Sequence, residues 1–241
     1  MTTATGSPVS HAGADLVLCE LFGPTIQGEG PSAGERAVFV RLGDCNLACG
    51  PCDTKHSWDW KNYVRSEETQ LVALADVAQA VLALDASLVV VTGGEPLLQQ
   101  ARLALLAERL VAAGRRVEVE TNGTVAPVPE LDRFIHLYVV SPKLAHMGMS
   151  TARRIRPEVL KAFLATGRAV FKVVLDGPED VPELVELQEA HGLTPVWVMP
   201  QATAADEVIA GMRALAEPAL RHGWNLSPRL HCLIWGDERG R

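Results

Sequence analysis

The sequence predicts an α/β fold of parallel strands, on three observations. Apolar runs of strand length alternate with longer segments of helical period. The chain has 241 residues, the size of one large domain, since a single α/β barrel runs roughly 200–250 residues. Short polar groups follow the strand candidates in the middle of the chain, and in barrels and open α/β sheets alike ligands bind at the carboxyl ends of strands. Repeated β–α alternation implies right-handed crossovers, hence a barrel or a doubly wound sheet.

Strands are expected at Leu16–Phe22, Ala37–Leu42, Leu88–Thr92, Val117–Glu120, Leu137–Val140, Ala169–Leu175 and Val196–Met199. Helices are expected at Thr69–Leu84, Pro96–Ala113, Pro157–Thr166, Val181–His191 and Ala204–Arg221. Within Pro96–Ala113, Leu98, Ala101, Leu105 and Ala112 recur at helical steps along one face, and Gly114 stops the helix at C′. The polar groups after the strands are Thr92-Gly93-Gly94-Glu95-Pro96, Glu120-Thr121-Asn122-Gly123, Ser141-Pro142-Lys143, Asp176-Gly177 and Pro200-Gln201. Turn chemistry alone accounts for Asp176-Gly177. It does not account for Glu95, Glu120, Lys143 or Gln201.

Composition narrows the partners. Hydrophobic residues make up 48% and charged residues 21%, with a formal net charge of -7. No basic stripe is present of the kind that meets nucleic-acid phosphate. The densest basic group, Arg153, Arg154 and Arg156, reads as a solvated helix start. Residues 1–14 lack the basic and apolar regions of a signal peptide and read as a disordered tail, leaving 15–241 as one domain. No apolar run approaches the roughly 20 residues of a membrane helix, so a cytoplasmic protein without a membrane partner is expected.

Of five cysteines, Cys45, Cys49 and Cys52 form C-x3-C-x2-C directly after the strand AVFVRL. Such a cluster in a reducing cytosol favours metal over disulfide. Three thiolates on one compact loop can hold three irons of a 4Fe-4S cubane and leave the fourth iron open. The competing assignment is structural zinc with His56 as fourth ligand, although zinc sites usually pin two separated ligand pairs. Cys19 and Cys232 sit in apolar stretches and read as buried, inert thiols.

This spacing, with Thr92-Gly93-Gly94-Glu95-Pro96 downstream at a strand end, resembles the radical S-adenosylmethionine (SAM) superfamily. The resemblance implies a partial (β/α)6-type TIM-like barrel. It also implies SAM chelated to the open iron, with Gly93 and Gly94 allowing backbone approach and Glu95 accepting from the SAM ammonium. A closer likeness lies in Leu21-Phe22-Gly23-Pro24-Thr25-Ile26-Gln27-Gly28-Glu29-Gly30, Phe39-Val40-Arg41, Cys52-Asp53-Thr54-Lys55-His56-Ser57-Trp58, Ser141-Pro142-Lys143 and Met199-Pro200-Gln201. Together these resemble the 7-carboxy-7-deazaguanine synthase family, a lyase family of the 7-deazapurine pathway that leads to queuosine.

That likeness implies ring contraction of 6-carboxy-5,6,7,8-tetrahydropterin with loss of ammonia, SAM being regenerated and Mg2+ assisting. It places Ile26, Gln27, Gly28, Arg41 and Thr92 on the pterin, with Arg41 meeting the carboxylate. A salt bridge to Glu29 or Glu35 is the plain alternative for Arg41. The likeness places Pro51, Cys52, Asp53, Gly94, Ser141, Pro142, Lys143 and Gln201 on SAM and Thr54 on Mg2+. The family usually has an aromatic residue where this chain has Pro51. His231 could face the pterin or be a buried, satisfied histidine. A flavodoxin or ferredoxin as electron donor and a homodimer are further implications. A radical SAM activase making a glycyl radical on a partner protein would share the cysteine motif, but it would not need Gln27-Gly28-Glu29-Gly30. A non-catalytic zinc or iron–sulfur module would leave the strand-end groups unexplained.

Overall fold

Alternating apolar strands and amphipathic helices build one sheet in the computed structural model, which describes residues 15–236 and 238–241. The tail expected over 1–14 lies outside the described residues. The strands are β1 Asp15–Ile26, β2 Arg36–Leu42, β3 Gln70–Ala73, β4 Leu88–Gly93, β5 Arg116–Thr121, β6 Leu137–Val140, β7 Ala169–Leu175, β8 Val196–Pro200 and β9 Asn225–Leu226. The α-helices are α1 Arg65–Glu68, α2 Leu74–Leu82, α3 Gln100–Ala112, α4 Pro129–Asp132, α5 Thr151–Arg154, α6 Pro157–Ala165, α7 Val181–His191, α8 Ala205–His222 and α9 Leu230–Trp235. The sheet order is β3-β1-β2-β4-β5-β6-β7-β8-β9. From β2 to β9 every pairing is parallel. The six main parallel strands are the six expected after the first, and the open sheet is a partial barrel.

Strand alternation divides the two faces. Val38, Val40, Val89, Val91, Val117, Val119, Tyr138, Val140, Phe171 and Val173 join the core beneath the helices. The intervening residues Phe39, Arg41, Thr92, Glu120, Val139, Lys172 and Val174 face a cavity on the other side.

Three expectations are corrected. The segment expected as one helix over 69–84 is divided: Gln70–Ala73 pairs antiparallel with Asp15–Leu18, and α2 starts at Leu74. The long β1 has two edges of backbone donors and acceptors, and β3 satisfies the outer one. On α3 the buried residues are Leu103, Ala104, Leu106, Ala107 and Leu110, whereas Leu105, and Leu98 in the 3-10 turn Pro96–Gln99 that precedes the helix, are exposed. The apolar residues outnumber one face, so the periodicity fits two stripes and packing selects the other. Arg154 is not solvated: it is buried, pairs with Glu183 at 2.7 Å and donates to Lys143 O at 2.8 Å.

β1 also runs past Phe22 to Ile26. Its bulge between Phe22 and Thr25 holds Gly23 at φ 131°, so close to the β2 backbone that a Cβ would meet Ala37 O at 2.9 Å. The strand then feeds Gln27–Glu35 across the inner face of the sheet. There Ser32 donates to Glu118 of β5 at 2.7 Å, Gln27 to Glu120 at 3.2 Å, and Gly30 N to Ser227 Oγ at 2.7 Å.

Candidate active site

The inner face and its loops enclose a cavity of about 740 Å³, within the usual range for small-molecule sites. The residues expected in the site line it except Glu95 and Pro142, the latter lying between the lining residues Ser141 and Lys143.

Cys45, Cys49 and Cys52 lie on the loop that follows β2, and all three are free thiols facing the cavity. Burial pushes the Cys45 thiol up to about 12, and it raises Cys49 as well. Buried thiols that resist ionisation become good ligands once a cation compensates the charge. Lys143 already works in that direction on Cys49. Among the described residues the three sulfurs are not gathered within 4.8 Å of one another. One tetrahedral zinc would draw thiolates to about 3.8 Å apart, whereas a cubane takes each on a different iron. The donor set therefore fits the cluster. His56, the suggested fourth zinc ligand, instead lies 3.4 Å from Glu20.

The turn after β4 is built against this loop. An added Cβ at Gly93 would collide with Leu42 backbone, and one at Gly94 with Asp44 O and Cys45. Gly94 N donates to Leu42 O at 3.1 Å and Glu95 N to Asp44 O at 2.8 Å. The two glycines thus admit the cysteine loop itself. Glu95 does not face the cavity and is corrected as a contact of the SAM ammonium. It is fully buried, with Oε1 accepting from Leu97 N at 3.0 Å and Thr121 at 2.8 Å, and Oε2 from Asn122 N at 2.7 Å. It caps the turn at Pro96 and ties it to β5.

Beneath lies a charged floor. Glu29 pairs with Lys172 and, at 3.0 Å, with Arg229. Lys172 is 3.7 Å from Glu120, which also accepts from Thr92 at 2.9 Å and from Gln27. Burial opposes ionisation of Glu29, but Lys172, Arg229 and His231 hold its carboxyl well below the usual range. Burial likewise opposes charge on Lys172, yet Glu120 and Glu29 lift it to about 12. Both groups are ionised. Arg229 also reaches Asp53 at 2.6 Å and Ala202 O at 2.5 Å, joining the loop after β1, the cysteine loop and the end of β8. His231 lies so close over Gly28 that a Cβ there would collide with its ring, and burial lowers its pKa.

At the other wall β1 and β2 set Glu20 opposite Arg41 and Phe22 opposite Phe39. The phenyl rings stack at 5.0 Å, and Arg41 Nε donates to Glu20 at 2.7 Å. Neither Glu29 nor Glu35 is its partner; Glu35 pairs with Arg116. Burial opposes the Glu20 charge, but His56, Arg239 and Arg41 hold its pKa at about 2. Glu20 thereby fixes Arg41 through Nε, away from the terminal fork. Cys19, next to it, is half-buried rather than sealed in the core, and burial lifts its thiol to about 11.

Thr54 precedes the 3-10 turn Lys55–Ser57 without capping it, and its hydroxyl lies 3.6 Å from Cys52 Sγ at the cavity wall. Lys143 donates to Ser141 at 2.9 Å, and Gln201 Nε2 to Pro51 O at 3.2 Å. Gln201 Oε1 is buried with no partner among the described residues, an acceptor suited to a polar group of a bound cofactor. The reading from sequence missed Glu20, Lys172 and Arg229. Lys172 in the apolar strand AVFKVVL was the available signal, since a mid-strand lysine needs a buried partner.

Parallel strands, a three-cysteine loop after the first of them and a diglycine turn beside that loop define a radical SAM protein, and residues 40–183 match the profile of the Radical SAM superfamily. Over 227 residues, 93% of this chain and 96% of the relative, the chain is 40% identical to 7-carboxy-7-deazaguanine synthase of Pyrobaculum aerophilum. Across 93% of this chain and 92% of the relative, it is 36% identical to the enzyme of that name from Halobacterium salinarum. The crystal structure of QueE from Escherichia coli superposes with a TM-score of 0.66 at 26% identity, covering 89% of this chain and 94% of that one. The chain belongs to the 7-carboxy-7-deazaguanine synthase family, and is a radical SAM lyase using a 4Fe-4S cluster and SAM.

Proposed function

We propose that this chain contracts 6-carboxy-5,6,7,8-tetrahydropterin to 7-carboxy-7-deazaguanine with release of ammonia, using SAM catalytically. The observation that carries the reading is Arg41. It stands in the cavity that holds the three thiols, with Nε held by Glu20 and its terminal nitrogens left to a carboxylate.

Cys45, Cys49 and Cys52 would hold the cluster, which supplies the electron that cleaves SAM when bound. Pro51, Asp53, Gly94, Ser141, Lys143 and Gln201 border the space for SAM; Pro142 supports it from behind. Ile26, Gln27, Gly28 and Thr92 border the space for the pterin, where Gln27 and Thr92 offer amide and hydroxyl groups to its donor–acceptor edge. The Lys172–Glu29–Arg229 floor would exclude water beneath the ring and orient Gln27 through Glu120. Thr54, free of capping duty, is the proposed Mg2+ ligand. Among the described residues no helix is long and apolar enough to cross a membrane, and we place the protein in the cytoplasm. There it would be a single-domain homodimer reduced by a flavodoxin or ferredoxin.

The test is anaerobic turnover of reconstituted protein with the carboxylated tetrahydropterin, SAM and a reductant, followed by mass spectrometry. The expected product is lighter than substrate by ammonia, with SAM not consumed stoichiometrically. SAM cleavage without pterin conversion would overturn the reading in favour of an activase.

A further inference from the structure

Among the three cysteines of the loop, Cys52 has an unusual partner. The indole Nε1 of Trp58 donates to its sulfur at 3.3 Å. An indole N–H is donor only, so the direction of this bond is fixed. Its geometry is held from several sides. Trp58 N donates to Lys55 O at 3.0 Å at the end of the 3-10 turn. Ser57, fully buried, donates its hydroxyl to Thr54 O at 2.8 Å and receives Asp44 N on its carbonyl at 2.8 Å. The turn that carries the ring is therefore bonded back to the start of the cysteine loop. Cys45 also receives N–H donors, Leu47 N at 3.4 Å and the Asn122 amide at a distant 3.8 Å, so the Trp58 contact is set apart by its donor, an indole carried on the adjoining turn, rather than by its length. Trp60, two residues on, turns its own N–H to Asp44 at 3.0 Å.

Hydrogen bonds to cluster sulfurs, together with burial, set the potentials of iron–sulfur centres. Reduction by one electron adds negative charge that spreads onto the thiolates, and a donor aimed at one of them stabilises the reduced form more than the oxidised form. We propose that Trp58 is a positioning residue that raises the reduction potential of the cluster through its N–H···S bond to Cys52, easing electron entry from a low-potential one-electron donor. This rests on the reading of Cys52 as a cluster ligand.

Replacing Trp58 by Phe removes the donor and keeps most of the ring. The variant is reconstituted anaerobically and titrated potentiometrically, with the reduced cluster followed by EPR. Iron content is expected to match the parent. At fixed solution potential the reduced-to-oxidised ratio is expected to fall about tenfold, which is 59 mV for a one-electron couple. Trp60→Phe is expected to leave the ratio unchanged. A Trp58→Phe protein with full iron and the parent's midpoint overturns the proposal. Should that variant lose its cluster, the parent still decides. With 15N in the tryptophan indoles, its reduced cluster must show a weak 15N coupling by pulsed EPR that persists in Trp60→Phe, and a parent without that coupling overturns the proposal. Cys52→Ala separates the two readings. If it keeps the full cluster, the ligand assignment falls and takes the proposal with it. If it loses the cluster while Trp58→Phe keeps the parent's midpoint, only the role of Trp58 is lost.

Discussion

Arg41 is where residue chemistry bears most directly on substrate. Its side chain is mostly buried, one nitrogen is committed to Glu20, and Phe22 lies beside the guanidinium at 6.0 Å. Losing a charge-assisted bidentate contact should weaken binding of the carboxylated pterin by roughly 30- to 1000-fold. Arg41→Lys should recover only part, because an ammonium cannot reproduce the planar fork. Calorimetric binding to Arg41→Ala checks this, and parent-like affinity would remove Arg41 from the site. The cysteines give a second test. Cys45→Ala, Cys49→Ala and Cys52→Ala should each lose the cluster by iron analysis, whereas Cys19→Ala and Cys232→Ala should keep it. Glu118 gives a third. It is almost completely buried, accepts only from Ser32, and has Oε2 without a partner among the described residues. Burial raises its pKa from 4.5 to about 6. A raised carboxyl pKa means that the unfolded chain ionises first as pH rises. The cost to folding is absent below pH 4.5, grows to pH 6 and is constant above, reaching about 2 kcal/mol. Glu118→Gln should therefore gain stability relative to the parent between pH 4.5 and 7.5, as followed by urea unfolding. A pH-independent difference would show that Glu118 does not titrate in this window.

At the scale of elements, α3 gives the sharpest comparison. Leu106 is fully buried, whereas Leu105, its neighbour in sequence, is 41% exposed. Leu106→Ala should cost about 2–5 kcal/mol, and Leu105→Ala less than about 1 kcal/mol. Equal losses in denaturant unfolding would mean that the helix is rotated from this placement. The parallel strands were legible in sequence because each is a short β-rich run ending in Gly, Pro or a polar cluster. The cysteine loop and the diglycine turn were legible because chemistry and spacing coincide there. The edge strand at Gln70–Ala73 was not, since four residues carry no period and it exists only because β1 needs a partner. The Glu20–Arg41 pair was hidden for a related reason: it depends on the antiparallel register of β1 with β2. Glu95 was misassigned because its signature fixes a place in the chain, whereas its role follows from Thr121 and Asn122 on the next strand.

Across the whole molecule, buried charge joins segments that are distant in sequence. Arg229 bonds Glu29, Asp53 and Ala202 O at once and is almost wholly buried. Removing it leaves two carboxylates without their common cation. Arg229→Met should cost about 3–5 kcal/mol, and adding Glu29→Gln should return part of the loss. A single-variant cost below about 1 kcal/mol in thermal or denaturant unfolding would show that the junction carries no stability. The contact of Gly93 and Gly94 with Leu42 and Asp44 has a different reach. Where backbone meets backbone with no side chain between, neither partner can be redrawn alone. Anyone transplanting the three-cysteine loop into another barrel would have to carry the diglycine turn of the neighbouring strand with it, as a single indivisible cassette.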